Sequence, residues 1–150
     1  MSESILNTLK AEHRLIESIL IQISACTDVV RKKELYLQLK DALIPHMEGE
    51  ERTIYAHLIE DVHDEEAEEV AQHAEDEHQE VKELLAKLDN TVIESEEWDT
   101  LFNLLKSRFS KHVDEEESEL FAEAKEDFSK EELMEFGDEF IEAKQHISPY

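Results

Sequence analysis

The sequence predicts an all-α protein, an up-down-up-down four-helix bundle followed by a short fifth helix at the C-terminus. Glycine and proline each occur only twice in 150 residues, and such a scarcity of turn-forming residues argues against folds built from many short strands. Hydrophobic residues make up 40% of the chain, and they recur at helical spacing through long segments, which argues against disorder. The chain also contains two similar halves, a feature of bundles built from two helical hairpins.

Local signals bound each predicted helix. Helical periodicity extends over about residues 3–25, 29–60, 64–88 and 96–126, and a shorter segment covers about 130–144. Asp28 and Ser95 are predicted N-caps, and Asn90 is predicted to help end the third helix. Ser129 and Glu132 form a capping-box pattern that starts the fifth helix.

The sequence shows no second domain. No segment rich in serine, glycine and proline divides it, so we predict one domain over residues 1–150, with the bundle at about 3–126 and the C-terminal helix at about 130–144. Pro45 lies inside the second predicted helix, where we expect a kink.

The charge balance argues against two classes of partner. Fifteen lysines and arginines against 40 aspartates and glutamates give a formal net charge of −25, which repels nucleic-acid phosphates and anionic lipid. The single cysteine, Cys26, cannot form an internal disulfide. The first residues lack a basic and then apolar signal pattern, and no apolar run approaches a membrane span. We therefore expect a cytoplasmic protein.

An internal duplication relates the first two helices to the next two. AEHRLIESIL, at 11–20, resembles DEHQEVKELL at 76–85, which lies 65 residues later. HMEGEERTIY, at 46–55, resembles HVDEEESELF at 112–121, which lies 66 residues later. Two such hairpins are expected to pack with pseudo-two-fold symmetry.

One histidine in each of the four long helices occupies an inward position where neighbouring turns carry apolar side chains. The second and fourth helices add a glutamate one turn later on the same face. The resulting set is His13, His46, Glu50, His78, His112 and Glu116. Burying one unpaired polar group costs about 2–7 kcal/mol, so six in one layer need a common partner. Bound metal would satisfy them, and a hydrogen-bonded polar layer is the alternative.

The types of the six residues restrict which metals they could bind. Imidazoles and carboxylates without thiolates suit iron, manganese or zinc, and six ligands exceed one tetrahedral zinc. Two ions about 3.5–4 Å apart, bridged by Glu50 and Glu116, would give each ion two histidines. The spacing does not decide which histidines serve which ion.

These motifs resemble the hemerythrin-like (HHE cation-binding) family over about residues 5–125. The matching pieces are Glu12 with His13, HMEGEE from residue 46, Glu77 with His78, and HVDEEE from residue 112. The resemblance implies a four-helix bundle that holds two iron ions joined by an oxo or hydroxo bridge. By this match His13, His46, His78 and His112 would be terminal ligands, and Glu50 and Glu116 the bridges.

The chain departs from the oxygen-carrying hemerythrins at two positions. Their fifth histidine, one turn before the third-helix ligand, corresponds here to Ala74. Their fourth-helix carboxylate lies five residues after the histidine, where this chain has Glu117. We prefer Glu116 because it matches the internal repeat, and Glu117 is the alternative. Glu75 is a candidate extra ligand, although a surface acid is the simpler interpretation.

The resemblance implies contact with O2, NO or peroxide. The chain would bind or sense these molecules, with a separate protein partner if it is a sensor. Alternatives are a small di-iron enzyme of peroxidase-like or NO-handling type, and iron buffering. Zinc or manganese could replace iron in vitro. A ferritin-like carboxylate enzyme is the structural alternative, but its paired ExxH motifs are missing from equivalent helices. His57, His63, His73, His146 and Cys26 are expected to lie outside the metal layer.

Overall fold

A computed structural model describes residues 3–148 of the chain, and those residues form helices joined by short connections. This described range contains seven α-helices and one π-helical segment, which we call the π-turn. Their bounds are α1 Ile5–Ala25, α2 Val29–Arg52, α3 Ile54–Glu60, α4 Glu65–Asp89, α5 Glu96–Glu115, the π-turn Glu116–Leu120, α6 Phe121–Asp127 and α7 Lys130–Lys144.

The predicted all-α bundle with a short C-terminal helix is confirmed. Helices α1 and α2 pack against each other, as do α4 and α5, and each pair is joined by a short connection that makes it an antiparallel hairpin. The exact up-down order and the single domain over 1–150 stay predictions, and residues 1, 2, 149 and 150 lie outside the described part. None of the helices in 3–148 combines the length and apolarity that a membrane span needs.

The predicted helix boundaries follow the side-chain caps. The Asp28 carboxylate accepts from the Arg31 N–H at the start of α2, and Ser95 caps α5 through the Trp98 N–H. Asn90 is the C-cap of α4. Ser129 and Glu132 form the predicted capping box at α7.

We predicted one continuous helix over residues 29–60, and this prediction is wrong. The helix breaks at Thr53. The Thr53 hydroxyl donates to the Gly49 carbonyl at 2.7 Å, which is the acceptor that an unbroken helix would offer to the Thr53 N–H. That N–H bonds to the Glu50 carbonyl instead. The helix runs through Pro45 without interruption, and the kink at Pro45 stays a prediction.

The fourth helix is likewise not a regular α-helix over 96–126. The π-turn Glu116–Leu120 interrupts it and adds a residue to the turn. In one half of the repeat the irregularity lies three residues after the inward Glu50, and in the other it begins at the inward Glu116 itself. π-Helical turns inside α-helices are frequent at functional sites.

The core consists of two apolar clusters. Along α1, Ile5, Leu6 and Leu9 belong to one cluster and Ile16, Ile19, Leu20 and Ile23 to the other, and His13 lies between them. The same division occurs on α4 around His78. The inward polar residues therefore form a layer with apolar side chains above and below.

Helix α7 packs across α1 and α2. Two glycines permit this close contact, because a Cβ on Gly137 would lie 2.3 Å from the Glu3 carbonyl oxygen, and one on Gly49 would lie 2.7 Å from Phe140 Cε1. The C-terminal helix thus covers the α1–α2 side of the bundle.

Candidate metal centre

The structure brings all six inward side chains together in one buried layer. Each of the six residues is at most 2% exposed. Their ligand atoms form two groups that could each hold a metal ion, and the carboxylates of Glu50 and Glu116 belong to both. One group adds His13 and His46, and the other adds His78 and His112. The histidine pairing, which the sequence left open, therefore follows the two hairpins.

The Nε2 atoms point into the layer. His46 Nε2 lies 3.0 Å from Glu50 Oε1, and His112 Nε2 lies 3.0 Å from Glu116 Oε2. His13 Nε2 is 3.3 Å from Glu116 Oε1. The Nε2 atoms of His78 and His112 are 3.1 Å apart. Imidazole nitrogens and carboxylate oxygens thus converge with their lone pairs directed at one small volume.

A ring of four further carboxylates binds the outer nitrogens. Each Nδ1 contacts a glutamate from a neighbouring helix at 2.7–2.9 Å. The pairs are His13 with Glu117, His46 with Glu12, His78 with Glu51, and His112 with Glu77. An ionised carboxylate can only accept, so Nδ1 carries the hydrogen and Nε2 is free to bind a metal. Metal-binding histidines are commonly oriented in this way.

Each outer carboxylate has a cationic or imidazole partner of its own. The partners are Arg14 for Glu117, Lys144 for Glu12, Lys82 for Glu51 and His73 for Glu77. Burial is the largest single influence and opposes ionisation, but the hydrogen bonds and charges of the histidines and their other neighbours together outweigh it and lower the pKa of Glu12, Glu51 and Glu77. These carboxylates therefore stay charged and hold the imidazole orientations.

Tyr55 is a site residue that the sequence analysis did not identify. Its side chain is fully buried, its hydroxyl donates to Glu116 Oε2, and it lies 3.3 Å from His78 Nε2. Burial and the charges of Glu116 and Glu50 raise the pKa of this phenol well above its ordinary value. The signal was in the repeat, because Phe121 occupies the equivalent position. Tyr55 therefore makes the two groups of ligands inequivalent.

The metal-free layer holds protons that a metal would displace. Burial, and then the nearby charge of Glu116, raise the pKa of Glu50 to about 8. Burial lowers the pKa of His112, but Glu116 and Glu77 outweigh it and raise that pKa to about 10. Burial also opposes the charge on Glu116, yet the neighbouring side chains of Glu50 and His112 lower its pKa well below the ordinary value. One carboxylate is thus ionised and its neighbour protonated.

Unsatisfied polar atoms show that the residues fit a metal. His13 Nε2, His46 Nε2, both oxygens of Glu50 and Glu116 Oε1 are buried without a hydrogen-bond partner. A hydrogen-bonded polar layer would satisfy these atoms among themselves. A donor set of imidazoles and carboxylates instead matches a cation such as iron, zinc or manganese.

The remaining candidates lie outside the layer. Glu117 contacts Nδ1 of His13 and belongs to neither group of inward ligands. Glu75 is also absent from both groups. His57 bonds to Asp61 and Glu139 on the outside of the bundle. His73 is exposed, and Cys26 packs at the edge of the cluster that includes Trp98.

Comparison with known proteins agrees with this centre. The family model of the hemerythrin HHE cation-binding domain matches residues 4–124. The crystal structure of a hemerythrin HHE cation-binding domain-containing protein from Mycobacterium kansasii superposes with a TM-score of 0.83. That protein is 23% identical, and the match covers 96% of this chain and 86% of the other. No curated protein matches the chain. The family match over most of the chain, together with the buried histidine and glutamate layer, establishes that this protein belongs to the hemerythrin HHE cation-binding family.

Proposed function

We propose that the chain is a non-haem di-iron protein that binds or senses O2 or a related small oxidant such as NO or peroxide. The observation that carries the proposal is the pair of four-ligand groups that share both carboxylates. Two ions close enough to share two carboxylates suit chemistry in which both act on one small molecule.

Each side chain has a defined role in this proposal. His13 and His46 would hold one ion, His78 and His112 the other, and both ions would share Glu50 and Glu116. Iron held by these residues would supply the electrons for binding or reducing an oxidant. The four outer carboxylates keep the imidazoles in the tautomer that presents Nε2.

Other residues control protons and water. The Tyr55 hydroxyl donates to Glu116 on the His78 side only, so it holds a proton beside one position and not the other. On the opposite side the Phe121 ring stacks on His13 with the centroids 6.4 Å apart. The two apolar clusters exclude bulk water above and below the layer.

An enzymatic role, peroxidase-like or NO-handling, is the second candidate. Ala74 and the Tyr55 hydroxyl favour it. Ala74 is small where an oxygen carrier has a further histidine, which would leave an exchangeable position for a substrate, and Tyr55 places a proton donor at the same side. Iron buffering remains the third hypothesis, and the acidic surface supports it only through attraction of cations.

Metal content and anaerobic spectroscopy test the proposal together. After expression with added iron we expect about two iron ions per chain, and one or none in well-folded protein would contradict it. Glu50→Ala and Glu116→Ala should each reduce occupancy of both positions, whereas His13→Ala should reduce mainly one. Additions of O2, NO and peroxide to the reduced protein should change its absorbance. Sustained turnover of peroxide or NO would select the enzyme, and absence of any change would exclude the oxidant role.

A further inference from the structure

A cavity of about 190 Å³ reaches the metal layer from one side of the bundle. It lies between α4 and the junction of α5 with the π-turn. Two of the six inward residues, His112 and Glu116, form part of its wall, and Ala74 lies beside them. Glu116 is 2% exposed and its Oε1 has no hydrogen-bond partner. The cavity therefore reaches two ligand residues of the buried layer.

The equivalent groove in the other half of the repeat is closed. Leu9 is the counterpart of Ala74, and it is fully buried. Gly49 is the counterpart of Glu115, and it lets Phe140 of α7 pack directly over the groove. The α4–α5 half thus has the small Ala74 and an open groove, whereas the α1–α2 half has the larger Leu9 and a groove covered by α7.

Metal-binding side chains line the mouth of the open groove. His73 Nε2 lies 2.9 Å from Glu115 Oε2 and 3.5 Å from Glu77 Oε2, and these three residues offer ligand atoms within 4.8 Å of one another. The side chain of His73 is 56% exposed. The other oxygen of Glu77 binds Nδ1 of His112 at 2.9 Å. Nitrogen and oxygen donors therefore extend from solvent to the buried layer.

The carboxylates at the mouth of the cavity determine which kind of ion it attracts. Glu69 and Glu119 add two carboxylates to the lining. Two cations lie near the cluster: Lys111, with Nζ 3.8 Å from Glu115 Oε1, and Arg108, which lines a neighbouring cavity with His73 and Glu77. The four carboxylates of Glu69, Glu77, Glu115 and Glu119 outnumber them. Such a mouth attracts a divalent cation and repels anions.

We propose that His73, Glu77 and Glu115 form a capture site for a divalent cation, from which the ion enters the buried centre past Ala74. This inference rests on the proposed metal-binding function of the layer. The capture site holds the ion transiently, because its ligands are partly exposed, whereas the six inner ligands are buried and pre-oriented.

Uptake of Co²⁺ by the chelator-treated protein tests the proposal. The rate of uptake is measured by stopped flow, from the change in visible absorbance. The double variant His73→Gln/Glu115→Gln should slow uptake by about tenfold at low ionic strength, with the final stoichiometry unchanged. Lys111→Gln should accelerate it. The matched control is His63→Gln/Glu83→Gln, which makes the same two changes at exposed positions on the loop before α4 and on α4 itself and should leave the rate unchanged.

The width of the route is tested separately. Ala74→Val and Ala74→Leu should slow uptake progressively, while Ala122→Leu on the exposed face of α6 should not. Circular dichroism verifies that each variant is folded. If leucine at position 74 disrupts packing, the smaller valine in Ala74→Val still tests the width of the route. Equal rates in the capture variant and the wild type would overturn the proposal. A fall in both rate and stoichiometry would also overturn it, because the cluster would then be part of the permanent site. Failure of the wild type to bind about two Co²⁺ ions would instead contradict the proposed function.

Discussion

Replacing Glu117 with glutamine should weaken one metal position and leave the other intact. Glu117 Oε2 lies 2.7 Å from Nδ1 of His13 and belongs to neither group of inward ligands. Its effect must therefore pass through His13, which belongs to only one of the two groups. The neighbouring Glu116 belongs to both groups, so Glu116→Gln should weaken both positions.

The expected magnitude follows from the hydrogen bond. A bond to a charged group contributes about 1.5–3 kcal/mol, and charge-assisted bonds are about twice as strong as neutral ones. Glutamine keeps an acceptor oxygen for Nδ1 and loses only the charge, so about half of that energy is lost. This corresponds to about a 4- to 12-fold weaker affinity at the His13–His46 position. Glu117→Ala removes the acceptor as well, and the loss should reach the 10- to 100-fold range typical of such outer partners.

Stepwise titration with Co²⁺, followed by absorbance and calorimetry, resolves the two positions. The matched control is Glu51→Gln, the equivalent change in the other half, which acts on His78 and should weaken the second position by a similar factor. A protein with both Gln substitutions should show both losses. If Glu117→Gln emptied both positions while Glu116→Gln stayed fully loaded, Glu117 would be the shared ligand and the assignment would be wrong.

The other predictions concern protons, the tyrosine and the C-terminal helix. Metal uptake at pH 7 should release about two protons per chain, because Glu50, with a pKa of about 8, and His112, with a pKa of about 10, each hold a proton in the metal-free protein. The affinity for metal should therefore fall as the pH falls. A pH indicator in weak buffer measures the proton release. Tyr55→Phe should lower the free energy of unfolding of the metal-free protein by about 1.5–3 kcal/mol and alter Co²⁺ affinity, whereas Tyr36→Phe, which also removes a hydroxyl bonded to a carboxylate, should leave Co²⁺ binding unchanged; thermal melts and titrations compare them. Gly137→Ala should cost about 1–3 kcal/mol in thermal unfolding, because the added Cβ meets backbone at the start of α1.

The element pattern was accessible from the sequence because it depends on local chemistry. The caps at Asp28, Ser95 and Ser129 act within three residues of their own position, and the structure has them as predicted. The breaks were not accessible. Thr53 is one of several threonines, and nothing local distinguishes its hydroxyl bond to Gly49 from an ordinary helical position. The π-turn at Glu116 likewise has no local composition signal.

The sequence by itself determined the inward face of each helix, and with it the six residues of the buried layer, because a period of 3.6 assigns every residue to a side of its helix. Only the tertiary structure decided which side chains of other helices those residues contact. The pairing of His13 with His46, the bond from Glu117 to His13 and the reach of Tyr55 to Glu116 join different helices. Such contacts depend on the relative height and rotation of packed helices, which the whole core sets together. The opening beside Ala74 is decided partly in the same way, because α7 packs over the equivalent groove of the other half and leaves this one uncovered.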